Sequence, residues 1–413
     1  MIRRLLLITA AVLIMPGKIN SQADVHLKIE SSGRGKIPII LEPIERQSAS
    51  LESSARCIGT VLHNDLVYGG IFDPLSVPAG RDSLPEGITA VAVMRMKLET
   101  EGDRQLLAGE LIDYTSGGTI FEKKYRFSEG SCRTVAHYLS DEITFFLTGE
   151  TGIATTRILF LKRTGGKKCV YIIDYDGYGA RRLTSDSLAV SPVWLDRDRF
   201  CFTSYKNDNP DCYMTNLRDR TRRMISYRKG LNVAGSYLPS ADMLLMTLSI
   251  SGNSELFMID TEGRIERRLT RNRSIDCSPV WSPNGREIAF VSDRTSVPQI
   301  YIMDEYGGNL RRLTTEGNYN TSPDWSPRGD LIAYVSREDG LYRLKVVTPD
   351  GLWQDTVYRD YLSYEDPSWA PDGSHIAVSV KYGDEPWIVI VNVESGEKRR
   401  LTRGESPAWS PAR

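Results

Sequence analysis

The sequence predicts a two-domain chain: an N-terminal α/β module followed by an all-β six-bladed propeller that the C-terminal strand closes. Three observations carry this: a tryptophan-centred motif at a fixed period, a first third without any repeat, and a half-repeat at the end of the chain. The motif Ser278-Pro-Val-Trp281, continued to Gly285, returns at Ser322 to Gly329 and at Asp366 to Gly373. Weaker copies lie at Ser191 to Trp194 and Gly235 to Pro239, and the chain closes on Ser406-Pro-Ala-Trp409. The central aromatic falls at Trp194, Tyr237, Trp281, Trp325, Trp369 and Trp409, with spacings of 43, 44, 44, 44 and 40 residues. A period of about 40–45 residues is that of one four-stranded blade.

Each period adds three elements in fixed order. An apolar run comes first (Ile288 to Ser292, Leu331 to Ser336, His375 to Ser379), then a run around an aromatic (Gln299 to Asp304), then a segment ending Arg-Arg-Leu-Thr. That last element stands at Arg181 to Thr184, Arg267 to Thr270, Arg311 to Thr314 and Arg399 to Thr402. Short runs rich in Ile, Val, Tyr and Phe, bounded by Gly, Pro, Asn and Asp, read as strands. The glycines of Asn284-Gly285, Arg328-Gly329 and Asp372-Gly373 suit the positive φ of tight turns. The apolar second strands number six, near Ile158, Phe200, Leu244, Ile288, Ile332 and Ile376. The first lacks a Ser-Pro-x-Trp element before it and the last such element, at Trp409, has no strands after it. One geometry satisfies both ends, with the C-terminal strand innermost in the first blade, and it leaves no open sheet edge. The tryptophans and prolines read as filling between blades, and the Arg-Arg pairs as a solvated outer edge.

Residues 1–23 read as a secretory signal: Arg3 and Arg4, the apolar run Leu5 to Met15, and cleavage after Ala23. The run is too short to span a bilayer, which takes about 20 residues. Residues 24–150 form the α/β module. Ile37 to Leu41 is a strand, and Leu51, Ala55, Ile58, Leu62 and Leu66 make a helical stripe. Strands follow around Val91 to Leu98, Leu106 to Tyr114 and Ile120 to Phe127, then a helix from Cys132 to Leu147. Gly149 to Thr156 is the joint, and the propeller takes residues 151–413.

Composition narrows the function. The chain has 413 residues, with 52 basic and 53 acidic side chains, so net charge selects neither nucleic acid nor an anionic membrane. Its six cysteines form no C-x-x-C pair and its four histidines are scattered, which leaves a zinc site without support. Cys201 and Cys212 are placed to meet across a hairpin, or to stay buried as free thiols. No nucleophile elbow, P-loop or dinucleotide fingerprint occurs. Asp174 to Gly177 resembles the start of a calcium loop but matches the hairpin turn at Asp304 to Gly307. No enzyme, cofactor or metal is expected. Function falls to the variable loops that lead into each innermost strand, at 185–190, 226–234, 271–277, 315–321, 357–365 and 403–405.

With these elements in order, the chain resembles the TolB family of periplasmic Tol-Pal proteins across residues 24–413. The motifs carrying the resemblance are the Ser-Pro-x-Trp-Ser-Pro-x-Gly repeats, the Arg-Arg-Leu-Thr strand ends and the Ser406 to Pro411 closure. Ile58 to Leu66 with Gly70 to Pro74, and Asp141 to Ile143 with Leu147 to Gly149, resemble the family's two helices. The resemblance implies a monomeric periplasmic protein, not inserted in the membrane, supporting outer-membrane integrity and cell division. It implies a Pal-like lipoprotein bound at the propeller mouth, with contacts at Asn232, Asp276, Cys277, Asn320 and Thr321. It also implies a TolA-like inner-membrane protein engaging the segment from Asp24 to Ile29. A scaffold of another envelope or secretion system, or a propeller hydrolase, are the alternatives; a cluster of carboxylates and histidine at the channel mouth favours the last.

Overall fold

A computed structural model describes residues 35–76, 91–185 and 188–412. The signal segment and Asp24 to Ile29 lie outside the described residues.

The N-terminal module is a six-stranded sheet under two helices. Strand β1 (Ile37–Leu41) pairs in parallel with β2 (Phe72–Ser76) and with β3 (Ala92–Glu101), which continues into an antiparallel meander through Arg104–Asp113 and Thr119–Phe127. A short sixth strand, Glu45–Arg46, also pairs with β3. Parallel neighbours require a crossover. Helix α1 (Glu52–Tyr68) supplies it between β1 and β2, turning Ile58, Leu62 and Leu66 onto the sheet, where they are fully buried. Burying each such side chain stabilises the module by about 1.5–3 kcal/mol. Helix α2 (Cys132–Thr148) adds Val135, Leu139 and Ile143 to the same core and ends at Gly149 with φ of 73°. A Cys57–Cys132 disulfide ties the two helices. The hairpin cysteines behave differently: Cys201 faces Met214 and Thr203 faces Cys212, so the two thiols sit diagonally and remain free and buried.

Six four-stranded sheets follow, each ordered innermost to outermost in sequence except the first. In blade 1 the innermost strand is Glu405–Trp409, paired with Arg157–Thr164. Trp409 donates its indole N–H to Thr156 Oγ1 at 2.8 Å, and Trp194 of blade 2 donates to the Ala408 carbonyl at 2.9 Å. The C-terminus therefore closes the ring, as the motif count predicts.

The Ser-Pro of four repeats, which is Asp366-Pro367 in a fifth and Gly235-Ser236 in blade 3, has a structural cause. All six innermost strands slip register between the residue before it and the residue after it. Proline cannot donate to a ladder and is tolerated at such bulges. The preceding residue takes φ near +50°, at Ser191, Ser278, Ser322, Asp366 and Ser406. Blade 3 has Gly235 instead, where a Cβ would lie 2.4 Å from the Pro279 carbonyl.

The outer Arg-Arg-Leu-Thr strands are more than a solvated edge. The threonine hydroxyl accepts the strand-three N–H of Val170, Leu256 and Ile300 at Thr184, Thr270 and Thr314, each at 3.0 Å. The leucine is buried at Leu269 and Leu313. The first arginine reaches the next blade's outer turn, Arg311 to Pro349 O at 2.6 Å and Arg399 to Tyr175 O at 2.8 Å, and in blade 2, which lacks the motif, Arg223 reaches Thr261 O at 2.6 Å. Sequence reading assigned these arginines to solvent because the acceptors are main-chain carbonyls, which no side-chain pattern announces.

Candidate protein-docking face

Strand direction sorts the ring's connections onto two faces. One face carries the turns within each Ser-Pro-x-Gly element and the turns into the outer strands. The N-terminal module sits there, over blades 5, 6 and 1. Asp65 of α1 accepts from Tyr175 Oη at 2.6 Å and lies 2.7 Å from His137 Nδ1 of α2. Arg133 pairs with Asp176, Arg328 with Glu150 at 3.3 Å and Glu394 at 3.0 Å. Arg399 stacks on Tyr68, 4.3 Å from the ring centre. The Asp174 to Gly177 turn is a hairpin turn, and its Asp176 also serves this junction. Asp141 holds the joint by accepting from Ala154 N at 2.8 Å and Thr155 N at 3.0 Å.

The other face is free of the N-terminal module among the described residues. It carries the loops into the innermost strands and the turns between second and third strands, with five exposed apolar side chains: Tyr227, Ile275, Tyr319 and Tyr361 in the former and Ile250 in the latter. Tyr361 is 93% exposed. The module-bearing face also exposes apolar groups, at Tyr178, Tyr306, Leu310 and Leu352, so what distinguishes the loop face is that its exposed apolar side chains lie where no N-terminal module covers the ring.

Each of the five sequence-derived residues lies at the start of an innermost strand on this face. Asn232, Asp276 and Asn320 are fully buried. Asn232 accepts from Ser226 Oγ at 2.5 Å and donates to Arg228 O at 2.6 Å and Gly230 O at 2.9 Å. Asp276 accepts from Asn272 Nδ2 at 2.6 Å and pairs with Arg294 at 3.0 Å. Asn320 donates to Gln299 Oε1 and Glu316 O, both at 2.8 Å. These side chains pin the loops that precede them. Cys277 and Thr321, one residue further on, are partly buried, and burial raises the Cys277 thiol's pKa. The exposed tyrosines and isoleucines were missed in the sequence because only the loop direction separates them from core residues of the same type.

The central channel has a volume of 650 Å³ and is lined by the Ser-Pro bulges. Its acids are tied down. Asp366 accepts from Ser322 Oγ at 3.3 Å and Ser406 Oγ at 2.7 Å. Asp324 accepts the Trp369 N–H at 2.7 Å, and burial pushes its pKa up to about 7. The described histidines lie elsewhere: His63 on α1, His137 at the domain junction, and His375 held by Asp372 at 2.6 Å. The cluster of carboxylates and histidine that would favour a hydrolase is therefore not at the channel mouth among the described residues.

A closed six-bladed ring with an α/β module on one face and an open loop face on the other defines a two-domain propeller protein. Residues 146–413 match the family model described as the TolB beta propeller domain, and the chain belongs to that family. It is 32% identical over 272 residues to the "Tol-Pal system protein TolB" of Desulfosudis oleivorans, covering 61% of each chain. It is 29% identical over 244 residues to the protein of the same name from Nitrosomonas europaea, covering 56% of each. The matched stretch thus spans less than two thirds of either relative's length. In fold the chain is similar to TolB from Acinetobacter baumannii, with a TM-score of 0.78 at 24% identity, over 92% of this chain and 97% of that one.

Proposed function

We propose that this chain is a periplasmic, non-enzymatic adaptor of a Tol-Pal envelope system. In this reading the signal segment is removed after Ala23 and the domains divide near residue 150. The loop face binds the soluble domain of a Pal-like lipoprotein, and the segment from Asp24 to Ile29 engages a TolA-like inner-membrane protein, supporting outer-membrane integrity and division. The observation that carries the docking reading is an open ring face, free of the N-terminal module among the described residues, whose loops bear exposed apolar side chains. Asn232, Asp276 and Asn320 take part by holding the loops in shape, with Cys277 and Thr321 beside them. The relatives named as Tol-Pal proteins support the choice of system.

The test is calorimetric titration of the mature chain with the soluble domain of the same organism's Pal-like lipoprotein. One-to-one binding is expected. Ile275→Ser and Tyr361→Ser are expected to weaken it by about tenfold or more each, the range of interface hot spots. Leu352→Ser, 87% exposed on the opposite face, serves as the control with no expected effect. Absence of binding by the unaltered protein would sink the reading.

A further inference from the structure

The loop face is not uniform in charge. Over blades 2 to 4 its loops present Lys206, Lys229, Arg271 and Arg273, all exposed and without a carboxylate partner among the described residues. They alternate along the arc with Tyr227, Ile250 and Ile275. The acids of the same arc are withdrawn. Glu255 is buried beneath Arg268, and Asp276 beneath Arg294. Asp293 is half-buried and accepts the Ile275 N–H at 2.8 Å, which leaves Asp208 as the one exposed carboxylate in these loops among the described residues. Across the mouth, the loops of blades 4 to 6 expose Glu316, Asp339 and Asp384. Arg337 in blade 5 and Arg163 and Lys167 in blade 1 are also exposed, so among the described residues cations outside ion pairs prevail over blades 1 to 4 and acids over the loops from Glu316 to Asp384.

Resting on the adaptor reading above, we propose that this basic arc seats an acidic, apolar-bearing patch of the protein partner and fixes its orientation on the ring. Opposite charges set approach rate and register, while the interleaved apolar side chains hold the docked state. A protein patch fits better than an anionic bilayer. A flat anionic surface would meet the carboxylates of blades 4 to 6 as it met the arginines, whereas a protein surface can confine its negative charge to one side.

The experiment uses the mature chain and the soluble domain of the Pal-like lipoprotein, with rates read by surface plasmon resonance. The variant Lys229→Glu/Arg271→Glu/Arg273→Glu is compared with Lys124→Glu/Arg264→Glu/Arg286→Glu, which makes the same change in net charge away from this face. The arc variant is expected to lose about tenfold or more in affinity, chiefly in association rate, and the control to bind as the unaltered protein does. Unaltered binding is also expected to weaken with added salt, a readout that needs no variant. Equal effects of the two triple variants, or salt-independent binding, would overturn the arc while leaving the adaptor reading standing. Cosedimentation with vesicles of phosphatidylcholine and phosphatidylglycerol, lost in the arc variant, would also overturn it in favour of a membrane. Failure of the unaltered protein to bind overturns the adaptor reading and the arc together.

Discussion

His137 sits where the two domains meet. Its imidazole is buried at the junction of α1, α2 and the first blade, hydrogen-bonded to Asp65, with Asp176 at 4.0 Å and Arg133 nearby. Burial alone would lower its pKa, but the hydrogen bond and charge of Asp65, joined by Asp176, outweigh burial and raise it above the ordinary 6.5. A histidine whose folded pKa is raised contributes stability that is full below its unfolded pKa and is lost as pH climbs through the folded value. The Asp65 carboxyl acts in the same sense. Burial, the largest influence on it, holds its pKa above 3.8 despite its hydrogen bonds, so the folded state again binds the proton more tightly. The histidine's share should therefore be lost as pH rises above its ordinary 6.5 and through its raised folded value, while Asp65's share is lost as pH rises above its ordinary 3.8. Thermal unfolding as pH rises through the histidine's range is expected to show a falling midpoint for the natural protein and a flatter profile for His137→Gln, whose amide can still donate to Asp65. Parallel profiles would refute the assignment. None of this was legible in the sequence, because Asp65, His137 and Asp176 stand on three separate elements and meet only once the module sits on the ring.

At the scale of the element, the contrast is between what periodicity announces and what only packing creates. Both helices of the N-terminal module were readable from stripes such as Leu51, Ala55, Ile58, Leu62 and Leu66, because burial on one face imposes a helical spacing. The six blades were readable because each must solve the same packing problem, a Ser-Pro bulge and an aromatic between neighbours. The disulfide was not. Cys57 and Cys132 lie 75 residues apart, and pairing among six cysteines cannot be deduced without knowing that α1 lies along α2. Its contribution can be measured. Closing a loop of that length restricts the unfolded chain, and the double variant Cys57→Ser/Cys132→Ser is expected to lose about 2–4 kcal/mol from the N-terminal module. Calorimetry should place the loss in a transition of that module and leave the propeller's own transition in position. A single transition shifted as a whole would mean instead that the two domains unfold as one unit.

At the scale of the whole molecule, stability rests on closure. Every blade but the first is a local hairpin series, whereas blade 1 joins Glu405–Trp409 to strands that begin at Arg157. This contact can form only after the intervening blades have been placed, so it is late, non-local and shared by the two ends of the ring. It buries Trp409, satisfies Thr156, and supplies the carbonyl that Trp194 requires. Removing residues 404–413 is expected to expose the edge of Arg157–Thr164, a strand whose Ile158, Leu159 and Phe160 are otherwise fully buried. An unpaired apolar edge recruits another chain. Light scattering during size-exclusion chromatography should then show concentration-dependent oligomers, where the full chain is expected to run as a monomer. A synthetic peptide of the missing segment is expected to restore the monomer by pairing with the vacated edge. If the shortened chain stays monomeric and equally stable, the ring is held by its blade-to-blade contacts, with the arginine clasps on neighbouring turns as the first of these to examine.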